Sequence, residues 1–360
     1  MQLPIIGSDV RSGPTHTCKC RQRVAVVDVG GAKLWSDSHV VTEKLTAALP
    51  AADASQGVFL IEGPDWAAQV QAAVALFSPL ERASIRAAFV DTSGACDPWK
   101  AMSVDNLIIQ GETAWFPEVI NGGRLLSHLQ PIARVGNGST YGYESLARAV
   151  VNGKLMNGGQ IVDAARAHGA LFQFDQISRT AAIRSCGPKL VGDERLFINF
   201  LPMVIYDPII CLQSCWNAAK DAGVSLSSLV FEVVESEQFP DIKHLRRILD
   251  TYKSHGAGVA LDDLGTGHTS LSYIDELAPN YVKLAKGLIP ERPHPVDLHM
   301  VRGLVKHAKS RGITVLAEGI ETADQLSAAR DLDVDLVQGW LIGHPAAEPV
   351  RTPAAIKMAA

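Results

Sequence analysis

The sequence predicts an α/β protein: a TIM-like (β/α)8 barrel carrying a small N-terminal α/β domain of the ferredoxin-like kind. Three observations predict it. From Leu125 onward, over about 235 residues, short apolar strands alternate with helical stretches. Ahead of them, a β-α-β-α-β order fits into about 70 residues. A doubly wound open sheet, the competing architecture, usually carries a Gly-rich phosphate loop after its first strand, and none stands here.

The elements follow in order. Residues 1–21 are polar and aperiodic and read as a flexible lead. A small regulatory domain is expected over 22–110 and a barrel over 120–350, with the boundary around Asn106–Val119. In the first domain, Val24–Val29 reads as a buried strand, Ser38–Leu49 as a helix capped by Ser36 or Ser38, and Gly57–Ile61 as a second strand. Asp65–Phe77 reads as a second helix and Ile85–Val90 as a third strand. The barrel strands are expected at Gln130–Arg134, Thr140–Leu146, Leu196–Phe200, Leu229–Val233, Gly258–Leu261, Tyr281–Leu284, Thr314–Ala317 and Leu336–Gln338.

Composition excludes several classes. With 360 residues, 47% hydrophobic and 20% charged, the chain is neither disordered nor fibrous. A net charge of −5 offers no basic field for duplex nucleic acid. Met1–Val10 lacks a signal pattern and no apolar run approaches the roughly 18 residues of a spanning helix, so no membrane partner and a cytoplasmic location are expected. Six cysteines do not make a disulfide framework. His16, Cys18, Cys20 and Cys96 allow a metal or redox role, but unpaired thiols in a loose N-terminal segment are the simpler reading.

The chemistry lies at the strand ends. Glu144, Asn199, Glu232, the pair Asp262-Asp263, Lys283, Glu318 and Gln338 each fall at or near the C-terminal end of a different expected strand, the end where barrel enzymes keep their active sites. Taken singly, each has an innocent reading. Glu144 suits a solvated strand edge, Asp262-Asp263 before Gly265 suits a turn, and Glu318 before Gly319 suits a strand terminus. A series over seven strands, in register, does not suit packing. Carboxylates about 4 Å apart at an effective dielectric near 20 repel by roughly 4 kcal/mol per pair. Such a cluster therefore takes up protons or divalent cations. All-oxygen ligands suit Mg²⁺ or Mn²⁺, and two ions about 4 Å apart form a clamp for in-line attack on a phosphodiester. Lys283 then either orients or deprotonates the attacking water, or counters phosphate charge.

Leu261–Leu271 (LDDLGTGHTSL), Val315–Thr322 (VLAEGIET), Gln338-Gly339-Trp340 and Tyr143–Arg148 (YESLAR) resemble the EAL family, bacterial phosphodiesterases that open cyclic di-GMP. The resemblance covers roughly Leu125–Pro345, about 60% of the chain. It implies a TIM-like barrel, a linear pGpG product and a homodimer joined near the loop Gly265–Ser270. It further implies that Glu144, Asn199, Glu232 and Asp262 hold a first metal, while Asp263 and Glu318 hold a second that shares Asp262. Lys283 is implied to act on the water and Gln338 to support it. Glu235 would anchor the loop Gly265–Ser270, Gln130 and Arg148 would contact the dinucleotide, and Glu321, the second glutamate of the AEGIET segment, would take part in substrate binding.

The chain departs from the family pattern at several points. Ser145 replaces the alanine after the naming glutamate, and Ala285 stands where the family carries an aspartate after the catalytic lysine. Leu264 replaces a phenylalanine, Ala149 an aromatic, and Asn157-Gly158-Gly159 a Pro-containing segment. These leave open a catalytically degenerate domain that binds cyclic di-GMP or a protein. In the first half, Gly57–Gly63 (GVFLIEG) and Trp99–Met102 (WKAM) loosely resemble a BLUF photosensor. No tyrosine precedes Tyr141, so no flavin is expected and an unrelated α/β regulatory module is the simpler reading.

Overall fold

The computed structural model describes residues 23–26, 29–234, 241–265, 271–294, 296 and 298–351. The N-terminal unit comprises β1 (Val29–Ser36), α1 (His39–Ala48), β2 (Asp53–Ser55), β3 (Val58–Glu62), α2 (Trp66–Val74), α3 (Pro79–Ala83), β4 (Ile85–Asp91), β5 (Met102–Ser103) and α4 (Val104–Glu112). Its sheet runs β2-β3-β1-β4-β5 with every neighbour antiparallel. That is the split βαβ order of the ferredoxin-like arrangement with one short strand added at an edge. Ser38 caps α1 by accepting the Val41 N–H. Leu34, Phe59, Ile61 and Ile85 from the sheet bury against Val41, Leu45, Val70 and Leu107 from the helices.

The first strand is displaced from its expected place. Residues 23–26 form no strand, and β1 begins at Val29, where the expected strand was to end, and runs on through Gly30-Gly31. The reason is steric. A Cβ at Gly31 would stand 2.3 Å from the Ile61 carbonyl oxygen, so glycine is what lets β1 and β3 approach. Val24 instead packs on the barrel side, its backbone N–H donating to the Asn121 side chain at 3.0 Å.

Two short loops and helix α5 (Phe116–Asn121) lead to the barrel: β6 (Leu126–Arg134), β7 (Thr140–Val151), β8 (Lys154–Met156), α6 (Gly158–Ala167), α7 (Leu171–Cys186), β9 (Arg195–Phe200), α8 (Pro208–Cys211) and α9 (Gln213–Asp221) come first. Then follow β10 (Leu229–Val234), α10 (Ile242–Ser254), β11 (Gly258–Leu264), α11 (Leu271–Leu277), β12 (Tyr281–Leu284), α12 (His299–Ser310), β13 (Thr314–Ala317), α13 (Ala323–Asp331) and β14 (Leu336–Gln338). Eight strands close in the order β6-β14-β13-β12-β11-β10-β9-β7, and β8 extends β7 as a hairpin. One feature differs from a uniform (β/α)8 repeat: β6 is antiparallel to both β7 and β14. A short turn joins β6 to β7, which permits only the antiparallel pairing. Among the described residues no helix is long and apolar enough to cross a membrane.

The lower interior of the barrel is packed. Ile132, Phe197, Val230, Ala260, Tyr281, Leu316 and Leu336, one from each of seven strands, form one apolar cluster with Tyr141 of the eighth packed against it. Alternate residues such as Phe231, Val259, Leu261, Val282 and Val315 face outward into the helices. The two units bury separate cores. Val104 and Leu107 of α4 belong to the first, whereas Phe116, Val119 and Ile120 of α5 pack with Ala149, Ile161 and Phe174.

At the end of β14, the Ile320 N–H donates to the Gln338 carbonyl at 3.0 Å. A Cβ at Gly339 would come within 2.2 Å of the Ile320 carbonyl oxygen. Gly339→Ala is therefore expected to lower the melting temperature by several degrees, on the order of the shift that 1–3 kcal/mol of overpacking gives; differential scanning calorimetry of the two proteins checks it.

Candidate functional site

Strand periodicity builds the site. Two residues from the apolar layer toward the C-terminal rim stand Asn199, Glu232, Asp262, Lys283, Glu318 and Gln338, on or just past β9 to β14, and β6, running the other way, supplies Gln130. Glu144 of β7 lies opposite Gln130 in the β6/β7 ladder. One pleat below, every inward side chain is apolar or aromatic; on this level every one is polar.

Lys283 is the centre. It is 0% exposed, and its Nζ lies 2.6 Å from Glu318 Oε1, 3.1 Å from Glu232 Oε2, 3.2 Å from Asp262 Oδ2 and 3.6 Å from Glu144 Oε2. Asn199 Nδ2 donates to Glu144 Oε1 at 2.8 Å, and Gln338 Nε2 donates to Glu144 Oε2 at 2.7 Å and to Gln130 Oε1 at 3.1 Å. Gln130 Nε2 in turn donates to the Gly343 carbonyl at 3.3 Å. Glu144 is thus held from both sides by amides, with an ammonium in front of it.

Asp262 and Asp263 are adjacent, and a regular strand would point them to opposite faces. A register shift between Leu261 and Leu264 breaks the β11/β12 ladder, and Asp263 takes a left-handed backbone at φ 58° with its N–H donating to Asp262 Oδ1 at 2.8 Å. As a result, one carboxylate oxygen from each of Asp262, Asp263 and Glu318 lies within 4.8 Å of the others.

Burial and crowding set the protonation. Glu232, fully buried, is pushed well above the usual carboxylate range by desolvation, against the pull of Lys283. Asp262 is raised by the same cause, and Glu318 is pushed up to about 8. Burial tends to lower Lys283, but the four surrounding carboxylates outweigh it and hold the group well above its ordinary value, as an ammonium. Two buried oxygens, Glu232 Oε1 and Gln338 Oε1, have no hydrogen-bond partner among the described residues. An all-oxygen donor set with an orphaned buried carboxylate oxygen fits hard divalent cations.

The other expected residues divide. Arg148 lies at the same end, its guanidinium depressed by burial but pulled up by Glu144, and its Nη1 donates to the Ala147 carbonyl at 2.9 Å. Glu321 stands apart from the Lys283 cluster and pairs with Lys286 at 2.7 Å. Glu235 and residues 266–270 lie outside the described residues, as do His16, Cys18 and Cys20. Cys96 is a half-buried free thiol. Ala285 is buried, with its N–H on the Leu264 carbonyl at 3.2 Å.

Sequence reasoning missed two features. Lys286 sits 5.2 Å from the centroid of the exposed Trp340 ring while it holds Glu321; its position three residues after Lys283, in the loop that follows β12, was the available signal. The buried pair Arg179–Asp175, 2.7 Å apart on α7, was also missed. Asp175 Oδ1 accepts the Leu201 N–H at 2.8 Å and so ties down the chain two residues beyond Asn199. An Asp-x-x-x-Arg spacing in a helix that also buries Phe174, Ala182 and Ile183 was the clue.

Fold and rim together define an eight-stranded α/β barrel protein with an acidic, lysine-centred mouth. The EAL domain model matches residues 114–345, and the chain belongs to that family. MucR of Pseudomonas aeruginosa, named a bifunctional diguanylate cyclase/cyclic di-GMP phosphodiesterase, is 29% identical over 227 residues, covering 62% of this chain and 33% of MucR. The chain thus spans about a third of the length of that relative. A standalone EAL protein from Vibrio cholerae O395, solved in its c-di-GMP bound form, superposes with a TM-score of 0.59 at 29% identity, over 64% of this chain and 97% of that one. The MucR phosphodiesterase in complex with c-di-GMP superposes at 0.58 and 27% identity, over 64% and 94%.

The raised Glu318 carries a sign. A carboxyl whose folded pKa exceeds its unfolded value binds its proton more tightly in the native state. Its contribution to stability is complete below about 4.5 and is lost as pH rises through about 8. Chelator-treated protein is expected to lose unfolding free energy between pH 5 and 8, by at most about 1.4 kcal/mol per pH unit from this group. Glu318→Gln should flatten that slope in urea titrations.

Proposed function

We propose that the barrel hydrolyses cyclic di-GMP to linear pGpG by in-line attack of water, in second-messenger signalling within the cytoplasm, as a homodimer. The observation that carries this reading is the single polar level at the barrel mouth, where Glu144, Asn199, Glu232, Asp262, Lys283, Glu318 and Gln338 converge above a packed apolar layer. The named activity of MucR and the c-di-GMP bound forms of the two similar structures support cyclic di-GMP as the ligand.

Glu144, Asn199, Glu232 and Asp262 would hold one divalent cation and Asp262, Asp263 and Glu318 a second, Mg²⁺ or Mn²⁺. Bound there, the ions supply charge stabilisation at the phosphoryl oxygens and an acidified water. The chain's own residues do the rest. Lys283, an ammonium in this environment, donates hydrogen bonds toward the mouth and orients the water, and it balances charge as the nucleotide enters. Gln338 and Asn199 fix the Glu144 carboxylate from two sides, so that it needs no reorientation during the reaction. Gln130 and Arg148 would contact the dinucleotide, and Glu321 would shape the loop after β13 through Lys286. Glu235 would anchor the loop at 265–270.

One observation favours a second reading. Ala285, buried and apolar, takes the place of a family carboxylate at the end of β12, so that the mouth has one acid fewer. A barrel of that kind binds cyclic di-GMP, or a protein, and signals without turnover.

Incubation of the full chain with cyclic di-GMP and Mg²⁺ or Mn²⁺ is expected to yield pGpG by chromatography. Glu144→Ala is expected to lower the rate by about a thousandfold or more, matching the several kcal/mol a bound cation contributes. Saturable calorimetric binding of cyclic di-GMP without any pGpG, from the folded protein, supports the binding module instead.

A further inference from the structure

A cavity of about 750 Å³ lies where the N-terminal unit meets the barrel, and no residue of the acidic mouth lines it. Its volume falls in the range of small-molecule sites, which favour junctions between domains. One wall is apolar and aromatic: Trp66 of α2, Phe89 of β4 and Met102 of β5. The other comes from the barrel side, from Pro117 of α5 and the turn at Ala167–Gly169 after α6. Trp66 and Phe89 meet edge to face, ring centroids 5.8 Å apart at 82°, so a flat molecule lying on one ring also touches the other.

Gly111 of α4 backs the Trp66 ring, where a Cβ would stand in ordinary van der Waals contact with Cη2 at 3.4 Å. His168 closes the far side. Its ring stacks on Phe116 at a centroid distance of 5.4 Å and its Nε2 lies 3.1 Å from the Thr113 carbonyl oxygen. Burial holds that imidazole below its ordinary range, so it brings no charge at neutral pH.

The polar rim is acidic. Asp91 Oδ1 accepts the Ser93 hydroxyl at 2.6 Å and the Ser93 and Ala95 N–H groups at 2.9 Å, which keep the carboxylate ionised. Asp97 and Lys100, 3.8 Å apart, offset each other. Two carboxylates against one ammonium disfavour nucleotide phosphates, those of a flavin nucleotide included, and favour a ligand without negative charge.

We propose that this cavity binds a planar aromatic molecule that is neutral or carries a single positive charge, seated on Trp66 and Phe89 and bridging the two units. The inference stands apart from the activity proposed for the barrel mouth, and its test reads binding alone.

Fluorescence anisotropy with the full chain, using proflavine as a flat monocation and FMN as a flat anion, tests it. Saturable one-to-one binding of proflavine, at least tenfold tighter than FMN and unaffected by excess cyclic di-GMP, is expected. Ala67→Trp and Ala114→Trp, both at exposed positions of the lining, are expected to weaken proflavine at least tenfold with an unchanged melting temperature. Asp97→Lys should narrow the preference over FMN severalfold. Absence of saturable proflavine binding, equal or tighter binding of FMN, displacement by cyclic di-GMP, or unchanged affinity in both tryptophan variants overturns the proposal.

Discussion

An ammonium group sealed among four carboxylates is the constraint on which the rest of this structure depends. Lys283 lies within 3.6 Å of Glu144, Glu232, Asp262 and Glu318 and touches no solvent. Removing it leaves buried acids facing one another, a situation that costs several kcal/mol where a buried pair is broken. Keeping it leaves more negative than positive charge, because Asp263 and Glu318 stand together with Asp262 at the rim. The excess is met by protons, as the raised carboxyls indicate, or by cations. A mouth built this way is unstable in charge and stable in shape, and that combination suits the proposed entry of cations and phosphate without rearrangement.

Shape is supplied by the level beneath. Ile132, Phe197, Val230, Ala260, Tyr281, Leu316 and Leu336 fill the barrel two residues below the polar set. The strands therefore cannot twist or slip without moving apolar side chains into the acids, since a shift of one residue reverses every face. Tight backbone contacts add to this. Gly142 would bring a Cβ within 2.2 Å of the Arg195 carbonyl oxygen, and Gly339 does the same toward Ile320. Both glycines sit beside strands that carry site residues, and close approach, rather than turn formation, is their role.

Much of this was legible in the chain, for a physical reason. A strand repeats every two residues, so an apolar residue followed two places later by a charged side chain or an amide marks one face changing character at the rim. Val230/Glu232, Tyr281/Lys283 and Leu336/Gln338 show it, and β12, β13 and β14 fall on the bounds the sequence suggests. What was not legible depended on partners distant in sequence. The apolar run at Val24 looks like any buried strand, yet it meets Asn121 and the barrel instead of the sheet. Gly30-Gly31 looks like a strand end until β3 is placed beside it. The antiparallel course of β6 follows from closure of the barrel rather than from its residues. The bulge that turns Asp263 toward Asp262 depends on pairing with β12, and the left-handed backbone it needs is one that aspartate tolerates without announcing. Lys286, Glu321 and Trp340 come together from three strand-end loops, a meeting that no local pattern records.

The acids around Lys283 are proposed to receive divalent cations at defined positions. Anomalous diffraction from crystals grown with Mn²⁺ and cyclic di-GMP tests this. Two peaks about 4 Å apart are expected, one among Glu144, Asn199, Glu232 and Asp262 and one among Asp262, Asp263 and Glu318, with the nucleotide phosphate beside Lys283. A nucleotide bound at the mouth with no peak, or peaks only at surface carboxylates, would contradict it.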